Sequence, residues 1–347
     1  MSRRAVTLMV ATVLILLLGV AGGLMPVPYV VLSPGPTEDT LGEVKGRPVI
    51  KIEGRKTYPT EGSLHLVTVA YQGGPGSRID LLTALRGWVD PTIAVVPEET
   101  IFPRSSTAEQ VQQQNTQEMT NSQDNATAAA LNELKIPYSS VVSVVSTEEG
   151  KPAHGRLKEG DEIVSVDDVS VDDVQEVAEL VRARKPGEEV VFTVTRGGQR
   201  VTVPVETVAG QDGRAQVGVL MRARFKFPFT VDISVGDVGG PSAGLMFSLG
   251  IIDKLTPGPL TGGKNIAGTG TITPEGQVGA IGGIQQKMVG ARKAGATFFL
   301  TPAENCDEAV QAVPDGLRLV KVETLKGALD AIETIREGGS KPVPSCG

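Results

Sequence analysis

A serine in Gly239-Gly240-Pro241-Ser242-Ala243-Gly244 and a lysine in Gly282-Gly283-Ile284-Gln285-Gln286-Lys287 are the residues of this chain best placed to do chemistry. The serine follows a strand-like run, Phe229 to Val235, and precedes an apolar run, Leu245 to Leu255. A strand, a sharp Gly-Pro turn and a helix would expose the Ser242 hydroxyl at a helix N-terminus, beside unpaired backbone N–H groups. Those groups and the helix dipole suit an oxyanion. A hydroxyl nucleophile needs a base, and the two histidines, His65 and His154, lie in other segments without catalytic surroundings. Lysine remains, since it serves as a base when held neutral. Lys287 falls in the first turn of a helix expected over 283–294, where a positive helix end and the apolar Ile281, Ile284 and Met288 would depress its pKa. A fall from about 10.4 to about 7.5 disfavours the charged form by roughly 4 kcal/mol. Taken singly, the two motifs read as a small-residue helix start and a surface lysine. Their combination argues for acyl transfer.

Further motifs extend the pattern: Gly268-Thr269-Gly270-Thr271-Ile272-Thr273, then Gly276-Gln277-Val278, then Thr301-Pro302-Ala303-Glu304-Asn305. In order and spacing, the set resembles the proteolytic domain of Lon-type Ser–Lys peptidases. The resemblance implies that Ser242 is the nucleophile, Lys287 the general base, and Thr269 a hydrogen-bonding neighbour that orients the lysine. It also implies a homo-oligomer, with rings of six known in the family. One departure is visible. Lon proteases usually carry Asp immediately before Gly-Pro-Ser, where this chain has Gly239, which leaves a carboxylate contribution at that position unsupported but not the pair itself.

The elements that must position these residues are set by the rest of the chain. Arg3 and Arg4 precede an uncharged run from Ala5 to Met25, long enough to cross a bilayer as a helix. A cleaved signal peptide is the rival, although its apolar core is normally shorter and Val20-Ala21-Gly22-Gly23 makes a weak cleavage site. With the arginines retained in the cytoplasm, the chain after Pro26 is expected outside it. The remainder is long enough for two ordinary domains. A net charge of −7, without a basic stripe, argues against a nucleic-acid partner. No metal-ligand motif occurs, so neither a metal nor a cofactor is expected. The two cysteines, Cys306 and Cys346, are open to two readings, a disulfide or separate thiols.

Between about Ile136 and Val205 the pattern becomes that of a small β-rich module, with strand-like runs at 140–145, 162–166, 189–195 and 199–205 and an amphipathic helix over about 171–183. Pro152-Ala153, Leu157 and Gly160-Asp161-Glu162-Ile163, with Val194-Thr195-Arg196-Gly197-Gly198 later, resemble the signature of bacterial PDZ domains. Such domains bind peptide C-termini by strand addition beside a helix. His154 falls in a turn of this module. Upstream, Glu61 to Val69 alternates like a strand that carries His65, the polar stretch 105–117 reads as disordered, and 119–134 reads as an alanine-rich helix. The strand and helix resemble the opening of a Lon proteolytic domain, so the PDZ module would interrupt that domain.

The architecture as a whole resembles bacterial membrane-anchored PDZ-containing Lon-like proteins, as does the entry segment Pro28 to Gly35. The fold class expected is α+β: a Lon-type proteolytic domain with a PDZ domain inserted in it, behind one N-terminal transmembrane helix. The expected boundaries are 1–27 for the anchor, 44–134 for the first part of the protease domain, 135–207 for the PDZ domain and 208–340 for the part that carries the Ser–Lys pair. Gly258 to Asn265 approaches a P-loop but lacks its final Ser/Thr and follows a helix, so it is read as a loop of the protease. The function expected is an ATP-independent, extracytoplasmic serine endopeptidase that cleaves unfolded or damaged proteins recruited by the PDZ module. The alternative is a membrane-tethered peptide-binding adaptor with an inactive protease domain.

Overall fold

A computed structural model describes residues 3–210, 212–236, 238–338 and 342–347. The chain divides into two compact units, Ile136–Pro228 and a second unit assembled from the stretches on either side, Met1–Lys135 and Phe229–Gly347. The first half of the discontinuous unit holds three longer helices, α1 (Arg3–Leu24), α2 (Leu81–Val89) and α3 (Ala108–Glu133). The 136–228 unit holds α4 (Val174–Arg182), and the second half of the discontinuous unit holds α5 (Gly244–Leu255), α6 (Ile284–Lys293) and α7 (Leu325–Arg336). Helix α1 is long and apolar enough to cross a membrane.

A six-stranded sheet organises the discontinuous unit, in the order 318–322, 298–302, 265–268, 63–72, 29–39, 94–97. The first four strands run parallel and the last two pairings are antiparallel. Alternation along the strands separates two cores. Leu64, Leu66, Ile266 and Leu300 face α3, α5 and α7, where Met119, Leu249 and Ile332 are buried. Val67, Ala267 and Phe299 face α6 through Ile284, Met288 and Ala291. Helices α5 and α6 therefore lie on opposite faces, and their N-terminal ends are available to approach one another only where a strand stops.

The 105–117 stretch is not disordered. Helix α3 begins at Ala108, and its Thr107 N-cap forms a reciprocal capping box with Gln110. The first turns have few apolar contacts to make, so this cap and the side-chain bonds Gln114–Glu118 and Gln117–Asn121 support them. The cysteines are joined in a disulfide, Cys306–Cys346, and the tail lies along the outermost strand, its Pro344 carbonyl accepting from the Lys321 N–H at 3.0 Å.

The 136–228 unit is an antiparallel sheet, ordered 199–206, 189–196, 162–166, 139–147, 219–226, with α4 against it. Val142, Ile163, Val177, Val181, Phe192 and Val205 fill its core. The unit runs past 207 because Val219–Lys226 pairs along the whole of Ser139–Thr147 and completes the sheet.

Candidate active site

Ser242 sits in the turn two residues before α5. Gly240 makes that turn with φ +86°, a conformation that disfavours other residues, and its N–H donates to the Asn115 carbonyl at 3.1 Å. The Pro241 carbonyl accepts from the buried Ser122 hydroxyl at 3.0 Å. A Cβ at Gly244 would lie 2.7 Å from Ile272, so only glycine allows the helix to start this close to the 271–272 segment. The Ser242 carbonyl accepts from Gly270 N–H at 2.9 Å and from the Thr269 hydroxyl at 3.0 Å. The turn is thus pinned on one side by α3 and on the other by the segment that leaves strand 265–268. Among the described residues, the N–H groups of Ser242 and Ala243 donate to no carbonyl, and they stand at the positive end of α5.

Lys287 lies in the first turn of α6, after Gly283 in the left-handed region at φ 67°. The side chain is buried, packed among the residues that join α6 to the sheet, and its Nζ donates to the Thr269 hydroxyl at 3.3 Å. Burial pushes its pKa down to about 7. Thr269 is fully buried and links the two sides: it accepts from Lys287 and donates to the Ser242 carbonyl. A neutral amine that gives one N–H to Thr269 keeps its lone pair available.

Ser242 and Lys287 both line an open cleft of about 700 Å³. Its walls come from strand residues Thr68 to Tyr71, from Gln112, Asn115 and Glu118 of α3, and from the loop 280–282. Asn305 holds that loop by bonding the Ile281 N–H and carbonyl, both at 2.9 Å. Strand 63–72 pairs with strand 265–268 only as far as Leu66, so among the described residues the edge of 67–72 on that side has no strand partner. Neither histidine lines the cleft. His65 is half-buried on strand 63–72, where burial depresses its pKa against the opposing charges of Asp39 and Glu38. His154 meets the Thr147 hydroxyl in a turn of the other unit.

The sequence motifs point to Ser242, Thr269 and Lys287, and the structure brings all three together. The helix expected over 119–134 contains Ser122, but its contact with Pro241 escapes a reading by motif, and Asn115 falls in the stretch read as disordered. The signal for α3 was nonetheless present in the Thr107-x-x-Gln110 capping pattern.

In the 136–228 unit, a second groove of about 520 Å³ lies between α4 and the edge strand 219–226, lined by Ala178, Val181, Val217, Val219 and Met221.

Residues 231–334 match the Lon protease (S16) C-terminal proteolytic domain, and residues 114–207 match the PDZ domain. The Lon protease of Clostridioides difficile is 40% identical over 94 residues, 26% of this chain and 12% of that protein. The Lon protease of Heliobacterium modesticaldum is 37% identical over 108 residues, 30% of this chain and 12% of that protein. The chain therefore spans only a small part of these relatives. Among solved structures, the PDZ domain of the SdrC-like protein Lin2157 from Listeria innocua is 28% identical, covering 24% of this chain and 93% of that one at a TM-score of 0.23. The Lon match supports a serine peptidase. In this mixed α/β chain, a Lon-type proteolytic domain and a PDZ domain are combined behind an apolar helix.

Proposed function

We propose that this protein is an ATP-independent serine endopeptidase held at the cell membrane with most of its chain outside the cytoplasm. Ser242 is the nucleophile, Lys287 the general base, and Thr269 the positioning residue between them. The observation that carries this reading is the relay from Lys287 Nζ through Thr269 Oγ1 to the Ser242 carbonyl, together with a lysine pKa of about 7. The Ser242 hydroxyl attacks the scissile carbonyl and gives its proton to the Lys287 lone pair. The oxyanion is met by the Ser242 and Ala243 N–H groups. Lys287 then protonates the leaving amine, which leaves an acyl-Ser242, and takes a proton from the water that releases it.

An extended chain suits the cleft, because the unpartnered edge of residues 67–72 offers backbone groups to a substrate strand. Unfolded or damaged proteins present such segments without an unfoldase. The groove beside α4 would hold a peptide terminus by the same strand addition and raise the local concentration of long substrates. The Cys306–Cys346 disulfide suits an oxidising compartment. The loop 258–264 favours independence from ATP: the Asp253 carboxyl accepts the Leu260 N–H at 2.9 Å, which sets an acidic group inside a turn where a nucleotide phosphate would need donors.

The test is digestion of unfolded casein by the full chain in detergent, without nucleotide and beside Ser242→Ala. Fragments from the wild type alone are expected. No fragments, with or without ATP, and no labelling of Ser242 by a fluorophosphonate would overturn the peptidase and leave the peptide-binding adaptor. Mass photometry of the same sample reads the homo-oligomer, with six copies expected from the resemblance.

A further inference from the structure

Helix α2 carries an apolar face that the described chain leaves largely open, apart from contacts of Leu82 with the end of α1 and of Trp88 with Tyr29. Ala84 and Gly87 point inward, and a Cβ on Gly87 would lie 2.5 Å from Val95, so the helix is pressed tightly onto the sheet. On the other side Leu82, Leu85, Trp88 and Val89 are all exposed, Val89 at 82%. Position along a helix of 3.6 residues per turn puts Leu82, Leu85 and Val89 on one face, with Arg86 beside them and Trp88 at the margin. Trp88 is held there by an edge-on contact with Tyr29, ring centres 5.7 Å apart. The carboxylates at the two helix ends are turned to local donors, Asp80 to Thr83 and Asp90 to Thr92.

This face is tied to the end of α1. Pro26 and Val27, directly after α1, pair with Asp80 and Ile79, directly before α2. Leu81 N–H donates to the Met25 carbonyl at 3.1 Å. Leu82 packs beside the last turn of α1, where a Cβ added at Gly22 or Gly23 would meet its side chain at 3.6 Å. The outward face of α2 is therefore level with the last turn of the apolar helix. That is the depth at which an amphipathic helix with aromatic and basic residues rests in a bilayer surface.

We propose that α2 is a membrane-surface helix: Leu82, Leu85, Trp88 and Val89 enter the boundary between lipid headgroups and acyl chains, and Arg86 meets the phosphates. The proposal rests on the membrane-anchor reading of α1. It adds a second point of attachment, so that the proteolytic unit is seated on the bilayer and not suspended from a single span.

Trp88 is the single tryptophan of the chain, so intrinsic emission reports on this helix alone. The full chain is reconstituted in nanodiscs of phosphatidylcholine and phosphatidylglycerol with a tryptophan-free scaffold, with and without lipids brominated near the headgroup end of the acyl chain. Brominated lipid is expected to cut Trp88 emission to about half or below, and lipid should shield Trp88 from acrylamide. The variant Leu85→Glu with Val89→Glu, which leaves the inward face intact, should still co-elute with the nanodisc while both effects are lost. A co-eluting wild type whose Trp88 is open to acrylamide and unquenched by brominated lipid overturns the proposal and leaves the anchor standing. Shielding from both quenchers would mean that protein covers the face, such as a second copy, and overturns it as well. A wild type that does not co-elute removes the anchor reading, and this proposal with it.

Discussion

Asp161 in the 136–228 unit and Lys287 in the proteolytic unit are both buried, 1% and 3% exposed, yet they meet opposite surroundings. Burial works to raise the Asp161 pKa, but hydrogen bonds from Arg196 and from the Lys158 N–H outweigh it, and the net direction is down. Arg196 reaches both carboxylate oxygens at 2.7 Å. Among the described residues Lys287 Nζ bonds a threonine hydroxyl alone, and burial carries its pKa down to about 7. A buried charge with a fork of donors stays charged and ties structure together. A buried amine with one neutral partner is kept near the point of losing its proton, which suits a base and costs stability.

The strongest way to break this contrast is chemical. Ser242→Ala and Lys287→Arg should each lower peptide hydrolysis by about 10⁴-fold or more, since a guanidinium cannot take the serine proton. Near-normal turnover by Lys287→Arg would end the assignment of the base. The next largest effect is on stability. The unfolded chain holds the Lys287 proton up to about pH 10.5 and the folded chain only to about 7, so the native state is penalised most below pH 7 and gains as pH rises between those values. Lys287→Met should therefore stabilise the protein at pH 6, by roughly 5 kcal/mol at most, with the gain fading toward pH 10 in urea unfolding. In the other unit the sign reverses. Asp161→Ala strands Arg196, which is partly solvated, and should cost on the order of 3 kcal/mol while cleavage of short peptides continues. Because the Asp161 pKa is depressed on folding, the stability it contributes is present above the ordinary carboxylate range and is lost as pH falls through the folded value, a trend the variant should lack. The smallest effect should come from Thr269→Val, about tenfold in rate. Its rate–pH curve should keep the wild-type shape, rising through the Lys287 pKa, but with the midpoint moved down from about 7, since a hydroxyl that accepts from the ammonium is gone. An unchanged midpoint would reduce Thr269 to a packing role.

Much of the site was legible because each member lies in a short motif with a glycine-marked turn, and spacing alone links those motifs to the ends of elements. The Asp161–Arg196 pair was half-legible: both residues stand in the two stretches that carry the PDZ resemblance, but nothing in either stretch says that they meet. For Ser122 the helix was legible, and for neither Ser122 nor Asn115 was the site contact. Their contacts to Pro241 and Gly240 cross more than the whole 136–228 unit in sequence, and the polar first half of α3 has too few apolar residues to set a period. The PDZ match ends at 207, as expected, and the strand that carries the compact unit on to 228 was not legible for a related reason. Strand 219–226 alternates well, yet pattern alone cannot tell which sheet an edge strand will join.

The division of the proteolytic unit into two stretches has a consequence for how the protein is made. Strand 63–72 receives its parallel neighbour only when residues 265–268 exist, and the Thr261 hydroxyl that fixes the Glu61 carbonyl comes 200 residues later. At ordinary synthesis rates that is a wait of roughly ten to forty seconds, during which Leu64 and Leu66 have only the N-terminal share of their core, such as Ile50 and Met119, and lack Leu249, Ile266 and Leu300. The 136–228 unit has its own core and a local sheet, so it can fold within that interval. Once folded, it replaces a long flexible loop by a compact body and lowers the entropy lost when the two stretches close. The inserted unit can thus be in place before the six-stranded sheet of the other unit is completed.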